Sequence, residues 1–452
     1  MSRYEADIIV VGAGPAGVCC ALSACRSGAG VLLLERAPMV GGVPAGARVH
    51  STLTFHGRYG QRIIGGIAGE IIDHMKAAGG SPGHLRDTVG VAHSVTPVDP
   101  DILPLVLQDM LHREGVHLLL EASYLGCTMD GPRIKSIHGV HPGGSFTAEG
   151  RVFVDCTGSG RLSADAGASF RQGRDGVVMP ATLMFEVEPV DMDQVMDYAL
   201  SHRDQFHHET LFDHLKKSPA PGFSGFFDLW RDARLPVPRD RLLFYSSVIP
   251  GRVGINSTRI TPFDPEDPLS VTKAYREGRR QVQAITRFLR EKIPGFSCCH
   301  LASVAPFLGV REVRRVEGEY VLTAGDTAMG TVFEDRVALG GFPVDIHSPQ
   351  GSGIESAPLG GRGYYGIPYR CLIPKGIDNL LMAGKCFSGD FTAHASARVQ
   401  ATSMAMGQGA GVASAICIQE KKPPREIDIS KIQDEILRQG GLLDPAEEGD
   451  LP

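Results

Sequence analysis

The chain has 452 residues, 51 acidic and 45 basic, for a formal net charge of −6, a balance that gives no general attraction to a phosphate backbone and makes nucleic-acid binding an unexpected role. Its ten cysteines form no C-x-x-C pair, which argues against iron–sulfur clusters, structural zinc and a dithiol centre, and no metal site is expected. No apolar run reaches the ~18 residues that a membrane span needs.

In chain order, "MSRYEADIIVVGAG" enters a strand pattern directly, without a basic then apolar leader, so the expectation is a cytoplasmic protein with reduced thiols. Residues 6–36 read as a complete β-turn-α-β unit: strand 8–11, helix 15–27, strand 31–34. A Gly-rich loop follows, then a helix over about 67–78, a helix and strand over 99–120, and a strand, tight turn and short helix over 151–167. The middle alternates like a half-exposed sheet over 181–190, 241–250 and 252–260, with polar-faced helices over 202–217 and 270–292. Residues 378–390 return to strand and Gly turn, and 388–411 read as one helix of small residues. The expected fold is α/β, with a first nucleotide-binding part over 1–180, an inserted substrate domain over 181–330, a second part over 331–425 and a peripheral charged tail over 426–452.

Gly12, Gly14 and Gly17 form G-x-G-x-x-G between a strand and a helix. Gly12 permits the tight turn, Gly14 lets backbone approach a pyrophosphate, and Gly17 permits close helix–strand packing. The N–H groups at the head of the helix favour the anion. Glu35 ends the next strand, where a carboxylate can hold both ribose hydroxyls of an adenosine and disfavours a 2′-phosphate. This unit alone does not separate FAD from NAD.

"LGVREVRRVEGEYVLTAGD" (308–326), "FPVDIH" (342–347) and "YYGIPYRCLIPKGIDNLLMAGKCFSGDFTAHASARVQATSMAMGQGAG" (364–411) follow. With the N-terminal G-x-G-x-x-G, they make the chain resemble the FAD-dependent oxidoreductase family of glutathione-reductase-type flavoproteins. The resemblance covers roughly residues 4–90, 150–187 and 305–418. It implies a three-layer, Rossmann-like FAD-binding domain of glutathione-reductase type with an inserted α+β substrate domain. "DCTGSG" looks like a second FAD contact, through Thr157 and Gly158, and "NLLMAGKCFSGD" like a third, through Gly384 and Asp390. Gly12, Gly14, Pro15, Ala16 and Gly17, with Glu35, Arg36, Gly41 and Gly42, would complete the adenosine and pyrophosphate side. Arg398 and Gln400 would lie by the flavin.

Hydride transfer is the cofactor's chemistry; the protein must hold the substrate and supply a base. His347 is the leading base candidate and His394 the second, because imidazole titrates near neutrality; a merely hydrogen-bonded structural role is the alternative for each. His394 and Arg398 are four apart and would share a helix face toward the pocket. The rows Ala397-Ala401-Ala405-Gly409-Ala413 and Ser403-Gly407-Gly411-Ala415 would let that helix dock closely. Its N-terminus would aim at the flavin, with Arg398 stabilising the reduced ring; simple helix packing is the alternative. Asp345 is expected at solvent or a helix cap, with orienting a neighbour the alternative. Tyr369 and Arg370 would line the pocket, with a core role equally open for Tyr369. Arg311, Arg314 and Arg315 read as an ion-pair network with nearby glutamates, although Arg311 could hold a substrate carboxylate. His50 and His56 are expected in the substrate pocket, with a covalent flavin link the weaker alternative. His202, His207, His208 and His214 read as a solvated helix face, and Cys156 and Cys386 as packed thiols.

The expected function is an FAD-dependent dehydrogenase or oxidase that takes hydride from a C–H next to OH or NH of a small polar substrate. A monooxygenase using NAD(P)H and O₂, or a reductase subunit feeding a partner, are the alternatives. The electron acceptor (O₂, a quinone or a carrier) and a homo-oligomer stay open.

Overall fold

β1 (Ser2–Val11), α1 (Pro15–Arg26) and β2 (Val31–Leu34) build the first β-α-β unit of the computed structural model, which describes residues 2–348, 351, 353–447 and 449–452. Ile8 to Val11 are buried on both faces, as a central parallel strand requires. α2 (Gly66–Ala77) and α3 (Ile102–Arg113) cover one face of the sheet, and β3 (His117–Leu119) adds an edge. β4 (Ser123–Asp130), β5 (Arg133–His141) and β6 (Gly144–Asp155) complete the order β3-β2-β1-β6-β5-β4. β3, β2, β1 and β6 run parallel, whereas β4, β5 and β6 form an antiparallel meander.

A second, antiparallel sheet follows: β7 (Phe185–Glu188), α4 (Met192–Ser201), β8 (Gly222–Gly225), β9 (Leu242–Ser246), β10 (Val253–Ile255), α5 (Pro268–Lys292) and β11 (His300–Val304), with strand order β8-β9-β10-β7-β11. Phe185, Phe223, Phe226, Phe244 and Phe296 are fully buried in its own apolar core. The expected helix over 202–217 does not form. Only a 3₁₀ turn (Arg203–Gln205) and a single turn (Phe212–Leu215) appear there. Phe206 packs edge-on against Phe226 at 4.8 Å, and the next N–H, of His207, donates to Ser224 O at 2.9 Å. Anchoring that aromatic ring outweighs local helix propensity. The helix lies earlier, at α4, where Asp191 caps Gln194 N.

The chain then returns to the first sheet through β12 (Arg336–Gly340), β13 (Val344–His347), β14 (Tyr365–Pro368) and β15 (Leu380–Met382), the last of which pairs parallel with β6. The small-residue stretch is two helices, α6 (Phe391–Ala397) and α7 (Gln400–Glu420), broken at Val399, which is extended. α7 crosses α1 at very short range. A Cβ on Gly407 would stand 2.1 Å from Ala16 O, and one on Gly411 2.3 Å from Cys20 O. The final helix, α8 (Ile429–Arg438), corrects the reading of a peripheral tail. Ile432 and Ile436 enter the main core and Gln439 Nε2 donates to Ser23 O. Among the described residues no helix is long and apolar enough to cross a membrane.

Candidate active site

Strand register brings four chain segments to one edge. Val11 pairs with Leu34 and with Asp155, and Met382 pairs with Asp155. The residues after them, Gly12, Glu35, Cys156 and Ala383, therefore leave the sheet side by side at the carboxyl ends of parallel strands, where open α/β sheets bind ligands. The turn there is held by contacts that only glycine allows. Gly12 has φ +101°, and a Cβ on Gly17 would lie 1.8 Å from Gly12 O. A Cβ on Gly14 would meet only Gly42 Cα, at 3.9 Å, so that flank stays open for a group to approach. No side chain caps α1, which starts at Pro15; its first N–H groups are suited to a pyrophosphate. Ala16 is buried beneath α7, and Gly41 N donates to Ala13 O, which locks the second Gly turn onto the first. Glu35 accepts from Ala13 N at 2.8 Å and Ala37 N at 2.9 Å. Each carboxylate oxygen keeps a further lone pair, as a ribose diol requires. Arg36 is exposed. These features fit a dinucleotide with an unphosphorylated ribose.

The expected contacts beyond this turn divide. Thr157 is held by Asp155 through N–H (3.1 Å) and Oγ1 (2.7 Å), Gly158 has φ +66°, and Gly384 has φ +79° beside Ala16 Cβ. Asp390 serves the fold itself: one oxygen caps α6 at Ala393 N (2.7 Å) and the other takes Ala324 N (2.7 Å). Gln400 is likewise occupied, accepting from Thr52 Oγ1 (2.6 Å) and donating to Val49 O (2.8 Å). It stitches the head of α7 to the loop after Gly42. The N-terminus that was expected at Ser388 is thus at Gln400, where Val399 supplies no side-chain cap.

Asp345 and His347, alternate residues of β13, face a buried cluster, so Asp345 is not at solvent or a cap. Asp345 Oδ2 takes Arg398 at 3.1 Å and the His347 Nε2 at 3.3 Å. Arg259 approaches His347 Nδ1 at 3.4 Å. A guanidinium only donates, so Nδ1 is the acceptor and the ring proton sits on Nε2. Burial, then Arg311, hold His347 down to about 3 against the pull of Asp345, and the ring is neutral at neutral pH. Burial alone would raise the Asp345 carboxyl; His347, Arg398 and Arg311 outweigh it and hold it below the usual carboxylate range.

Arg311 meets no carboxylate: it donates to Pro180 O at 2.6 Å and Thr182 Oγ1 at 3.0 Å. Burial first, then Arg398, Arg239 and Arg259 press it down to about 9, relieved only by Asp345. Of its neighbours, Arg315 pairs with the nearby Glu312 at 2.7 Å as expected, whereas Arg314 pairs with the distant Glu266.

Other candidates stand elsewhere. His394 and Arg398 do not act together on one pocket face. His394 is fully buried, stacks on Phe387 and donates Nε2–H to Lys385 O (2.9 Å); burial, then Arg315 and Arg398, push its pKa well down. Tyr369 is core: its hydroxyl donates to Pro424 O at 3.0 Å, while Arg370 pairs with Asp335 outside. The His50 ring lies on Gly254 of β10, where a Cβ would come within 2.0 Å. His56 belongs to a histidine group with His84 and His93, bonded to Ser94 Oγ at 2.8 Å. His202 and His208 are exposed.

Sequence reasoning missed Arg239, Arg259 and Lys385. Lys385, next to Gly384, is half-buried and donates to Val310 O at 2.7 Å; desolvation and then Arg398 lower it to about 8. Nothing local marks these three among 45 basic residues. The one available hint was that Arg259 is the single charge in the otherwise neutral segment "INSTRI".

A family model described as FAD dependent oxidoreductase matches residues 7–436. No curated protein matches the chain. Among solved structures, the chain is similar to a geranylgeranyl bacteriochlorophyll reductase-like protein from Thermoplasma acidophilum, at 10% identity over 98% of this chain and 85% of that one, TM-score 0.48. It is similar to p-nitrophenol 4-monooxygenase from Pseudomonas putida DLL-E4 at 12% identity, 97% and 85% coverage, TM-score 0.45. It is also similar to L-proline dehydrogenase from P. horikoshii at 11% identity, 97% and 100% coverage, TM-score 0.45. These likenesses are too distant to decide anything about the reaction.

Proposed function

The chain belongs to the FAD-dependent oxidoreductase family, and from that membership we propose a dehydrogenase or oxidase that removes hydride from a C–H next to an OH or NH of a small polar substrate. FAD is the cofactor, and when bound it supplies the hydride acceptor, flavin N5. In this reading the layout is of glutathione-reductase type, with residues 181–330 as the substrate-side domain. The Gly12–Gly17 turn and the head of α1 hold the pyrophosphate, Glu35 the adenosine ribose, and the Gly158 and Gly384 turns the remaining length.

The observation that carries the reading is the buried Asp345–His347 pair beside Arg398. Asp345 fixes the ring by accepting Nε2–H, which leaves the Nδ1 lone pair as the proton acceptor. The substrate O–H or N–H proton passes to Nδ1 while its C–H leaves as hydride, and a C=O or C=N product results; the ring, held down to about 3 in the free protein, takes that proton once a negative substrate group offsets the arginines around it. Asp345 then faces the imidazolium. Arg259, which holds Nδ1 in the free protein, must release it, and a polar substrate group that takes over the guanidinium would do so. Arg398 stays on Asp345 and keeps that carboxylate ionised.

The test is an anaerobic screen of hydroxy acids, sugars, polyols and amino acids for loss of flavin absorbance. Bleaching by a member of one class, with no bleaching by NADPH alone, is the expected outcome. Rapid bleaching by NADPH without substrate overturns the reading in favour of a monooxygenase.

A further inference from the structure

The charges around His347 do not balance. Arg239, Arg259, Arg311 and Arg398 are all buried or largely so, and Arg239, Arg259 and Arg398 all act on Arg311. Among the described residues, Asp345 is the carboxylate that pairs directly with one of the four, Arg398, while Asp240 acts on Arg239 and Arg259 without an ion pair to either. Both Asp240 oxygens are taken by Arg241, at 2.9 and 2.8 Å. Glu312 is likewise committed to Arg315. Arg239 is 8% exposed, and the buried side-chain nitrogens left without a partner among the described residues include Arg259 Nε and Arg398 Nε. Arg239 is fixed in position, because Trp230 Nε1 donates to Arg239 O at 2.7 Å. Among the described residues, the Arg259 guanidinium is met by the His347 ring and by backbone carbonyls, of Ser348 (2.7 Å), Gly351 (2.8 Å) and Gly353 (3.2 Å). A buried guanidinium nitrogen without a partner is among the costliest groups a fold can hold, unless a ligand completes it.

We propose that this cluster is the seat of a dianionic substrate, a small dicarboxylic acid with an OH or NH on the carbon to be oxidised. The inference rests on the function proposed above for which carbon reacts, but not for the binding itself. A dianion brings four positive charges and one negative to near balance. The guanidinium groups come from two parts of the chain, Arg239 and Arg259 from the segments flanking β9 and β10, Arg311 and Arg398 from the loop after β11 and the end of α6, and they meet β13 at two separate points, Arg259 at His347 and Arg398 at Asp345. Two carboxylates, one for each point, match that arrangement better than the single focus of a phosphate. The forked, planar guanidinium suits each of them. Engagement of Arg259 by one carboxylate also frees Nδ1 of His347 for the proton.

The experiment uses the FAD-loaded protein and redox-inert probes. Malonate and succinate are titrated against acetate, inorganic phosphate, the neutral diamides and sodium chloride of equal ionic strength, with the flavin spectrum and calorimetry as readouts. Saturable binding of a dicarboxylate at least tenfold tighter than acetate or phosphate, with none by its diamide, is expected. Arg239→Gln should weaken it at least tenfold at unchanged FAD content, and Arg239→Lys should restore only part. Equal binding of diamide and dicarboxylate overturns the proposal. So does a sodium chloride effect of the same size, phosphate binding tighter than either dicarboxylate, or an Arg239→Gln variant that shifts the flavin potential but not the affinity. The wild-type series decides even if the variant fails to fold. If dicarboxylates bind but no hydroxy or amino dicarboxylic acid bleaches the flavin, the hydride-transfer reading fails and the anion site stands. If a neutral polyol bleaches it and dicarboxylates do not bind, the reverse holds.

Discussion

The carboxyl edge of the parallel sheet and the arginine cluster beside β13 lie in one molecule but are built on opposite principles. The edge is made of backbone: glycines at Gly12, Gly14, Gly17, Gly158 and Gly384, free N–H groups, and a carboxylate pinned by two amides. It carries the single Glu35 carboxylate and, at Gly12 and Gly17, has no room for one added carbon. The cluster is made of side chains, four guanidinium groups around Asp345 and His347, drawn from residues 239 to 398. In the proposed reading the difference teaches that cofactor binding is a matter of shape, whereas substrate selection is a matter of charge. Substitutions at the edge should abolish loading with FAD; substitutions in the cluster should leave the loaded protein intact but chemically impaired.

That contrast can be broken most severely at Gly17. In Gly17→Ala the new Cβ would be driven into Gly12 O, and the turn cannot relax without moving β1 and β6. Purified variant should carry no FAD, read as the ratio of flavin to protein absorbance, and lose several kcal/mol of stability, more than the ~1–3 kcal/mol of ordinary overpacking. A variant that retains FAD would show that the edge is softer than its contacts indicate. His347→Gln tests the other side: FAD content should be normal, and the rate of flavin reduction by substrate in stopped flow should fall roughly 10²–10⁴-fold. An unchanged rate would remove His347 as the base.

Lys385 belongs to both regions, next to the Gly384 turn and under the field of Arg398, and it sharpens the comparison through pH. Its pKa is about 8 in the fold against about 10.4 when unfolded. Between those values the unfolded chain binds more protons, so stability should rise as pH increases from about 8 to 10, by at most about 3 kcal/mol. It should be lost again as pH falls through 8. Denaturant midpoints of the wild type and Lys385→Met across that range read the effect; equal slopes would mean that the ammonium is not desolvated in solution. The smallest effect is at Tyr369. Tyr369→Phe loses only the bond to Pro424 O, about 0.5–1.5 kcal/mol of stability, with no change in flavin reduction. A kinetic effect would return Tyr369 to the pocket.

Residues 8–35 show how legible the edge was. A β-branched run, three glycines at fixed offsets, a helix of small residues and an acid after the next strand are all local features, and their meaning does not depend on the rest of the chain. The stretch from Ser388 to Gly411 shows the opposite. Its residues have no Gly or Pro at Arg398 or Val399 to announce a break, and a single helix was the natural reading. The break comes from outside, where Arg398 turns to Asp345 and Gln400 to Thr52 and Val49. Asp390 and Gln400 looked like ligand contacts because polar residues near Gly turns often are, but the fold spends both on its own amides and hydroxyls.

The spacing along the chain was sufficient for the β-α-β unit, the nucleotide edge and the existence of a distinct middle region, since hydrogen-bonding period and glycine sterics act over a few residues. Which arginines meet, which histidine stays neutral and which carboxylate pairs with an arginine there were decided only when β10, β13, the loop after β11 and the end of α6 packed together. Coulomb energy depends on distance and burial, and neither is a property of position in the sequence.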